Sequence, residues 1–429
     1  MKLSTNTDRA TPERSRYYTN FLCKGSNVQS DEEIKDVLKS YYDVEIIKIN
    51  PSFERKITNF LKPLMSMLQE NVETYLNSEH GDDNHRVESI YSGMAGIAVL
   101  FNFHALKTQN QLNTKEKAKL IIEKCLLKLH TTSNRVSYLT GESGVYVTAA
   151  TIYKTHMDFV NVNNMIKKVT DLLPRVLDED YSDELLYGRA GYLYSLLLLK
   201  RVGWKDPQRD KLIRQIVSAI LNSGMYFCVK ENIKKTPIMY EWHLKKYLGA
   251  AHGLSGILHC LLLANEYLTK KELDDLIKPA LNYLLSFRFE SGNIQSSINN
   301  DNDRLVQWCH GAAGVALTFA LAYKVFQDNQ YLLAAEKFGE VVWSRGLLTK
   351  GYGLCHGVSG NTYTFLALYQ ITKNSKYLYR TAKFMEWCLS TDRQNRNPDR
   401  PLSLFEGITG VIYMLLDAQN PLEAEFIGF

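Results

Sequence analysis

Two short stretches of the chain carry the same three residues in the same order. Cys309-His310-Gly311 and Cys355-His356-Gly357 stand 46 positions apart, and a third stretch, Ala251-His252-Gly253, keeps the histidine and glycine without the thiol. Two soft thiolates and an imidazole suit Zn²⁺, which in catalytic sites takes three protein ligands and leaves a fourth position open. Cys309 and Cys355 are the candidate sulfurs. The nitrogen comes from His356, His310 or His252, and residue type alone does not choose among them. The alternative is a pair of inert buried cysteines beside hydrogen-bonded histidines. The remaining five cysteines (Cys23, Cys125, Cys228, Cys260 and Cys388) occur outside any Cys-His-Gly stretch, which favours the ligand reading for these two.

The elements that position these residues are written in glycines. A G-x-x-G tetrad begins at Gly93, Gly141, Gly188, Gly253, Gly311, Gly357 and Gly407, with spacings of 48, 47, 65, 58, 46 and 50. A near-constant period of this length is the signature of a repeat array. Each tetrad is followed by an apolar segment, such as Val315-Ala-Leu-Thr-Phe-Ala-Leu321, that reads as a buried helix. Each is preceded by an amphipathic segment; Tyr331, Ala334, Ala335, Phe338, Val341 and Val342 keep the spacing of a one-sided outer helix. Another opens with the capping-box pattern Thr269-Lys-Lys-Glu272, and Pro279 is expected to bend it. Seven such units predict an all-α fold of about fourteen helices, a seven-fold α/α toroid with inner helices around a central hole. The first 50 residues form an arm, partly flexible, and residues 51–429 a single domain whose first outer helix runs roughly over 52–75.

Two glycines per turn permit tight turns and close helix approach. A phosphate cradle would need the rest of a P-loop or dinucleotide pattern, which the sequence lacks. The residues just before the first glycines (Ser92, Thr140, Tyr187, His252, His310, His356 and Glu406) occupy equivalent places and are expected to face the mouth of the ring. The 65-residue interval holds a basic, aromatic insertion from Lys234 to Tyr247. Such insertions fall on one face of an array, often the binding face. Its lysines suit a phosphopeptide or solvent, and a solvated loop is the simpler reading.

With 45% hydrophobic and 23% charged residues, collagen-like, low-complexity and wholly disordered chains are excluded. Lys+Arg 51 against Asp+Glu 46 leaves +5 with both signs mixed throughout, so no basic face calls for nucleic acid. Seven scattered cysteines fit reduced thiols better than a disulfide framework. The N-terminal residues lack an apolar signal segment, position 2 is Lys rather than the Gly that myristoylation needs, and apolar runs such as 191–199 are short of a bilayer span. These features lead to the expectation of a soluble cytoplasmic protein with no stable membrane anchor.

The motifs Gly249-Ala-Ala-His-Gly-Leu-Ser-Gly256, Trp308-Cys-His-Gly311, Lys350-Gly-Tyr-Gly-Leu-Cys-His-Gly357 and Ser403-Leu-Phe-Glu-Gly407 closely resemble the eukaryotic lanthionine synthetase C-like proteins, relatives of the bacterial lantibiotic cyclases. The resemblance runs from about Tyr91 to Phe429. It implies a seven-fold α/α toroid, in agreement with the repeat count. It further implies zinc held by Cys309, Cys355 and His356, with His310 outside the ligand set, His252 as acid/base, and Glu184 where bacterial cyclases have an Asp. Lys350 matches the family's glutathione-contacting lysine. Arg16, in Arg16-Tyr-Tyr-Thr-Asn20, resembles an N-terminal arginine that reaches the same pocket, although the prolines usual there are missing. The implied activity is addition of the glutathione thiol to dehydroalanine or dehydrobutyrine in peptides or proteins, with zinc converting the thiol to its nucleophilic thiolate.

Three other readings compete. Prenyltransferase β-subunits are zinc toroids too, but they use an Asp ligand and lack paired Cys-His-Gly turns. Toroidal glycosidases need two carboxylates across a cleft; Glu184 and Glu406 would serve, leaving the cysteines unexplained. A non-enzymatic zinc- and glutathione-binding adaptor keeps every ligand and differs only in consuming no dehydrated peptide.

Overall fold

The computed structural model describes residues 16–20, 30–78, 88–108, 113–129, 135–390 and 398–429. Each tetrad's first glycine is the N-cap of an apolar helix: α3 (Met94–Lys107), α5 (Glu142–Thr155), α8 (Arg189–Val202), α10 (Leu254–Leu263), α13 (Ala312–Phe326), α15 (Val358–Thr372) and α17 (Ile408–Asp417). These helices are buried on nearly every side, so they need neighbours all round. They find them in a closed ring, α3 against α5, then α8, α10, α13, α15 and α17, with α17 returning to α3.

The outer layer is formed by α2 (Pro51–Asn77), α4 (Thr114–Lys128), α6 (Phe159–Thr170) followed by the short α7 (Leu173–Val176), α9 (Arg209–Lys230), the segment Lys270–Leu285 that opens with α11 (Lys270–Glu272), α14 (Asn329–Arg345) and α16 (Ser375–Cys388). In α14 the predicted stripe from Tyr331 to Val342 is the buried face. The segment from Lys270 starts with the expected capping box, Glu272 N donating to Thr269 Oγ1 at 3.1 Å and Thr269 N to Glu272 at 2.8 Å. It widens into a π turn over Leu273–Ile277 before α12 (Lys278–Leu285). Pro279 follows at once, where its ring and missing N–H disfavour regular bonding to the preceding turn. α9 is long and apolar enough by length and composition to cross a bilayer, a length the apolar runs singled out in the sequence do not reach. It lies in the outer ring packed on α8 with Ile213, Ile216, Val217, Ile220 and Leu221 in the core.

Four inner helices pack most closely on the outer helix that follows them, α3 on α4, α5 on α6, α13 on α14 and α15 on α16, whereas α8 and α10 pack most closely on inner neighbours. The seventh inner helix, α17, packs on α2 from the start of the domain. The ring is thereby closed by segments far apart in sequence. Within the arm, α1 (Asp31–Leu38) packs on α16, and a short antiparallel pair, β1 (Tyr42–Asp43) with β2 (Lys48–Ile49), follows it.

The tetrad's second glycine has a steric role. A Cβ at Gly360 would overlap the carbonyl oxygen of Leu354, and every other second glycine meets the equivalent carbonyl six residues earlier. Those carbonyls belong to the loop that leads into each inner helix. The loops are joined by a belt of main-chain hydrogen bonds between equivalent residues: Tyr91 N to Leu139 O (2.8 Å), Leu186 N to Ala251 O (3.3 Å), Ala251 N to Cys309 O (3.2 Å), Cys309 N to Cys355 O (3.3 Å), Cys355 N to Phe405 O (2.8 Å) and Phe405 N to Tyr91 O (3.1 Å). At the Leu139–Leu186 joint the hydroxyls of Ser137 and Thr140 donate to Leu186 O instead.

The hole expected at the centre is partly filled by the C-terminal tail, beside which a cavity lined by Val99, Phe103, Tyr194 and Tyr413 remains. After α17 the chain turns back and buries Phe426 and Phe429 among inner-ring residues. Phe429 stacks on His259 with centroids 3.8 Å apart, and Phe426 stacks on Trp308 at 5.1 Å. Gly428 N donates to the Tyr194 hydroxyl at 3.1 Å. Trp308 directly precedes Cys309, so the tail supports the floor beneath the candidate site.

Candidate metal centre and active site

The belt places Cys309 and Cys355 at adjacent positions, so their side chains leave the backbone side by side. Cys309 Sγ, Cys355 Sγ and a ring nitrogen of His356 all lie within 4.8 Å of one another. Donors around one tetrahedral zinc stand about 3.4–3.8 Å apart, so shifts of about an ångström close this set on one ion. His310 and His252 are outside the cluster, and His356 is the histidine whose ring nitrogen joins the two sulfurs.

Both cysteines are buried and hydrogen-bonded to one another. Cys309 is held well below the usual thiol range, first by the hydrogen bond from Cys355 and then by His356 and His310, against the effect of burial. Cys355 is pushed well above it, by burial first and then by the charge on Cys309. The shared hydrogen bond thus favours one negative charge on the pair. Gln307 Nε2 donates to Cys309 Sγ at 3.1 Å, and the Tyr91 hydroxyl lies against Cys355.

One belt position from Cys309, His252 Nδ1 contacts Glu184 Oε2 at 2.8 Å. An ionised carboxylate only accepts, so the proton of this bond is on Nδ1 and Nε2 is left available. Glu184 is 2% exposed and also accepts from the main-chain N–H groups of Leu186 (2.8 Å) and Tyr187 (2.6 Å). Those bonds fix the carboxylate, which in turn fixes the imidazole. The His252 ring is surrounded by Tyr187 and Tyr247 at 5.8 Å, and by Trp242 and His310 at 6.2 Å. Burial holds His310 below the usual histidine range, and its Nδ1 has no partner among the described residues.

Lys350 is partly exposed, and its charge acts on both Cys355 and His310. Arg16 is exposed, and its carbonyl accepts from Thr349 N at 3.1 Å, next to Lys350. Tyr17 bridges Leu348, and Asn20 Nδ2 donates to Trp343 O at 2.7 Å, so residues 16–20 are strapped along the loop that leads to Cys355. All seven site residues expected from the sequence therefore fall on one arc of the mouth. Gln307 and the rings of Tyr91, Tyr187, Trp242 and Tyr247 were not among them. Repeat register marks Tyr91 as a belt residue and Tyr187 as the equivalent of His252, His310 and His356, whereas Trp242 comes from the insertion and has no equivalent elsewhere. Six cysteines are free thiols; Cys23 lies outside the described residues.

Residues 86–429 match the family model of lanthionine synthetase C-like protein. The chain belongs to the lanthionine synthetase C-like family. It is 40% identical over 343 residues to "Glutathione S-transferase LANCL1" of Danio rerio, covering 79% of this chain and 84% of that protein. Among solved structures it resembles nisin cyclase with a TM-score of 0.66 and 18% identity, over 84% of this chain and 96% of that one. The latter likeness is one of fold, the seven-fold toroid.

Proposed function

We propose that this chain adds the thiol of glutathione to dehydroalanine or dehydrobutyrine residues of peptides or proteins, with zinc held by Cys309, Cys355 and His356. The observation that carries the proposal is the Cys2His cluster, its two sulfurs buried, on the same arc as the fixed His252–Glu184 pair. The 40% identical relative named a glutathione S-transferase supports glutathione as the thiol.

A zinc ion bound there supplies Lewis acidity that lets a thiol react as its thiolate near neutral pH. Lys350 and Arg16 provide positive charge for the glutathione carboxylates from the strap side of the mouth. The thiol S–H proton leaves to solvent, a carbon–sulfur bond forms at the β-carbon, and the π electrons of the alkene move onto the α-carbon and its carbonyl. His252 delivers a proton from Nε2 to the α-carbon, and Glu184 stabilises the imidazolium before transfer and keeps the ring aimed. The net change is one S–H and one C=C converted into one C–S and one C–H. Reduced cysteines and a glutathione substrate fit the cytoplasm.

The test is incubation of the purified protein with glutathione and a dehydroalanine peptide, followed by mass spectrometry. Accumulation of the thioether above the uncatalysed rate is expected. Zinc-loaded, glutathione-binding protein that leaves the peptide unchanged would replace this reading with the adaptor.

A further inference from the structure

The insertion in the long repeat interval ends in a strained hairpin. Trp242 N donates to Lys245 O (2.9 Å) and Lys245 N to Trp242 O (3.1 Å), leaving His243 and Leu244 as the central residues of a four-residue turn. Both have left-handed backbones, with φ of 46° and 59°. Turns of this kind favour Asn-Gly or Gly-Gly, because a Cβ in that conformation crowds the following carbonyl. Leu244 is 90% exposed, so packing gives it almost nothing in return. Strain kept without compensation in the fold points to a use at the surface.

The turn presents Trp242 to the active site. The indole plane lies 15° from that of His252 with centroids 6.2 Å apart, and Tyr187 is near-parallel to both, at 26° and 5.7 Å from Trp242 and at 15° and 5.8 Å from His252. His243 meets the indole edge-on at 4.2 Å, and the Arg135 guanidinium covers Tyr187 at 4.8 Å. Along the belt, this aromatic wall stands at the Leu186–Ala251 end of the site, whereas Lys350 and Arg16 stand at the Cys355 end. The site thus has a cationic flank and an aromatic flank on either side of the cysteines. A dehydroamino acid is flat, since its alkene is conjugated with the adjoining peptide groups, and flat π systems pack on aromatic faces.

We propose that the Trp242–Lys245 hairpin and Tyr187 form the docking surface for the acceptor polypeptide. The planar dehydro residue lies against the Tyr187 and Trp242 rings, within reach of His252, and Leu244 contacts the residues flanking it. This rests on the thiol-addition reading above.

The experiment measures KM separately for a dehydroalanine peptide and for glutathione in full-length Trp242→Ala, Trp242→Phe and Leu244→Gly. Trp242→Ala is expected to raise the peptide KM about three- to tenfold, the scale of one aromatic contact, with glutathione KM and zinc content unchanged. Trp242→Phe should retain most of the wild-type value. Leu244→Gly should raise the melting temperature by relieving the turn while also raising the peptide KM. An unchanged peptide KM in Trp242→Ala, or equal rises in both KM values, overturns the inference. If the wild type turns over no dehydroalanine peptide, the thiol-addition reading falls by itself. Fluorescence anisotropy of a labelled dehydroalanine peptide without glutathione then decides the surface: weaker binding by Trp242→Ala supports it, and equal binding overturns it.

Discussion

Replacing Glu184 by Gln keeps the size of the side chain and removes one of its two acceptor oxygens. In the wild type those oxygens receive three donors, His252 Nδ1 and the N–H groups of Leu186 and Tyr187. An amide can turn its NH2 toward Tyr187 N–H or toward the other two, and either choice sets donor against donor in a buried place. At least one charge-assisted bond is lost, worth about 1.5–3 kcal/mol, and the imidazolium no longer faces an anion. If that loss falls on the protonation step, kcat drops about 10- to 150-fold. Zinc content and glutathione KM should stay at wild-type values, because neither depends on this carboxylate. The assay is steady-state thioether formation with metal analysis on the same preparation, at a temperature where circular dichroism shows the variant folded. A folded, zinc-loaded Glu184→Gln with kcat within about twofold of wild type would refute the role given to the His252–Glu184 pair.

Further perturbations test the frame around the site. Burial pushes Asp417 up to about 7, and its carboxylate accepts from the Tyr363 hydroxyl and Glu425 N, both at 3.0 Å. Because the folded value lies above the unfolded one, its contribution to stability is full below about pH 4 and is lost as pH rises to about 7, up to about 4 kcal/mol. Asp417→Asn should flatten denaturant-measured stability across that window, and a pH dependence parallel to wild type would count against the assignment. Gly360→Ala forces a methyl group into the Leu354 carbonyl beside Cys355. A loss of about 3 kcal/mol together with lower zinc content is expected from melting and metal analysis, and wild-type values for both would contradict the steric role of the second glycine. Phe429→Ala empties the centre of the ring at a cost of about 3–5 kcal/mol; an unchanged melting temperature would mean that the tail does not support the core.

The period of the glycines made the inner helices, their starts and their number readable from the sequence, because each tetrad satisfies a local requirement of the backbone. The same register puts Cys309 beside Cys355. It did not choose among three histidines; that needed the side-chain geometry that brings in His356 and leaves His310 with an unpartnered Nδ1. Contacts between distant segments were illegible for the same reason. The C-terminal plug of Phe426 and Phe429, the closure of α17 by α2 and the donor Gln307 depend on where the ring folds the chain. Trp242 was hidden differently, since an insertion breaks the period that made everything else readable. Its position over His252 follows from a turn whose residues, His-Leu, are not those usually associated with such a turn.

Whether zinc drives the chemistry is read from the rate of glutathione addition as a function of bound zinc. Protein stripped by a chelator, shown to remain folded, is titrated with Zn²⁺ while thioether formation on a dehydroalanine peptide is followed. No addition above background is expected without metal, and the rate should rise to a plateau at about one zinc per chain, with Cys355→Ala failing to recover. Wild-type rates from folded metal-free protein, or a fully loaded protein that adds no glutathione, would contradict this role of zinc.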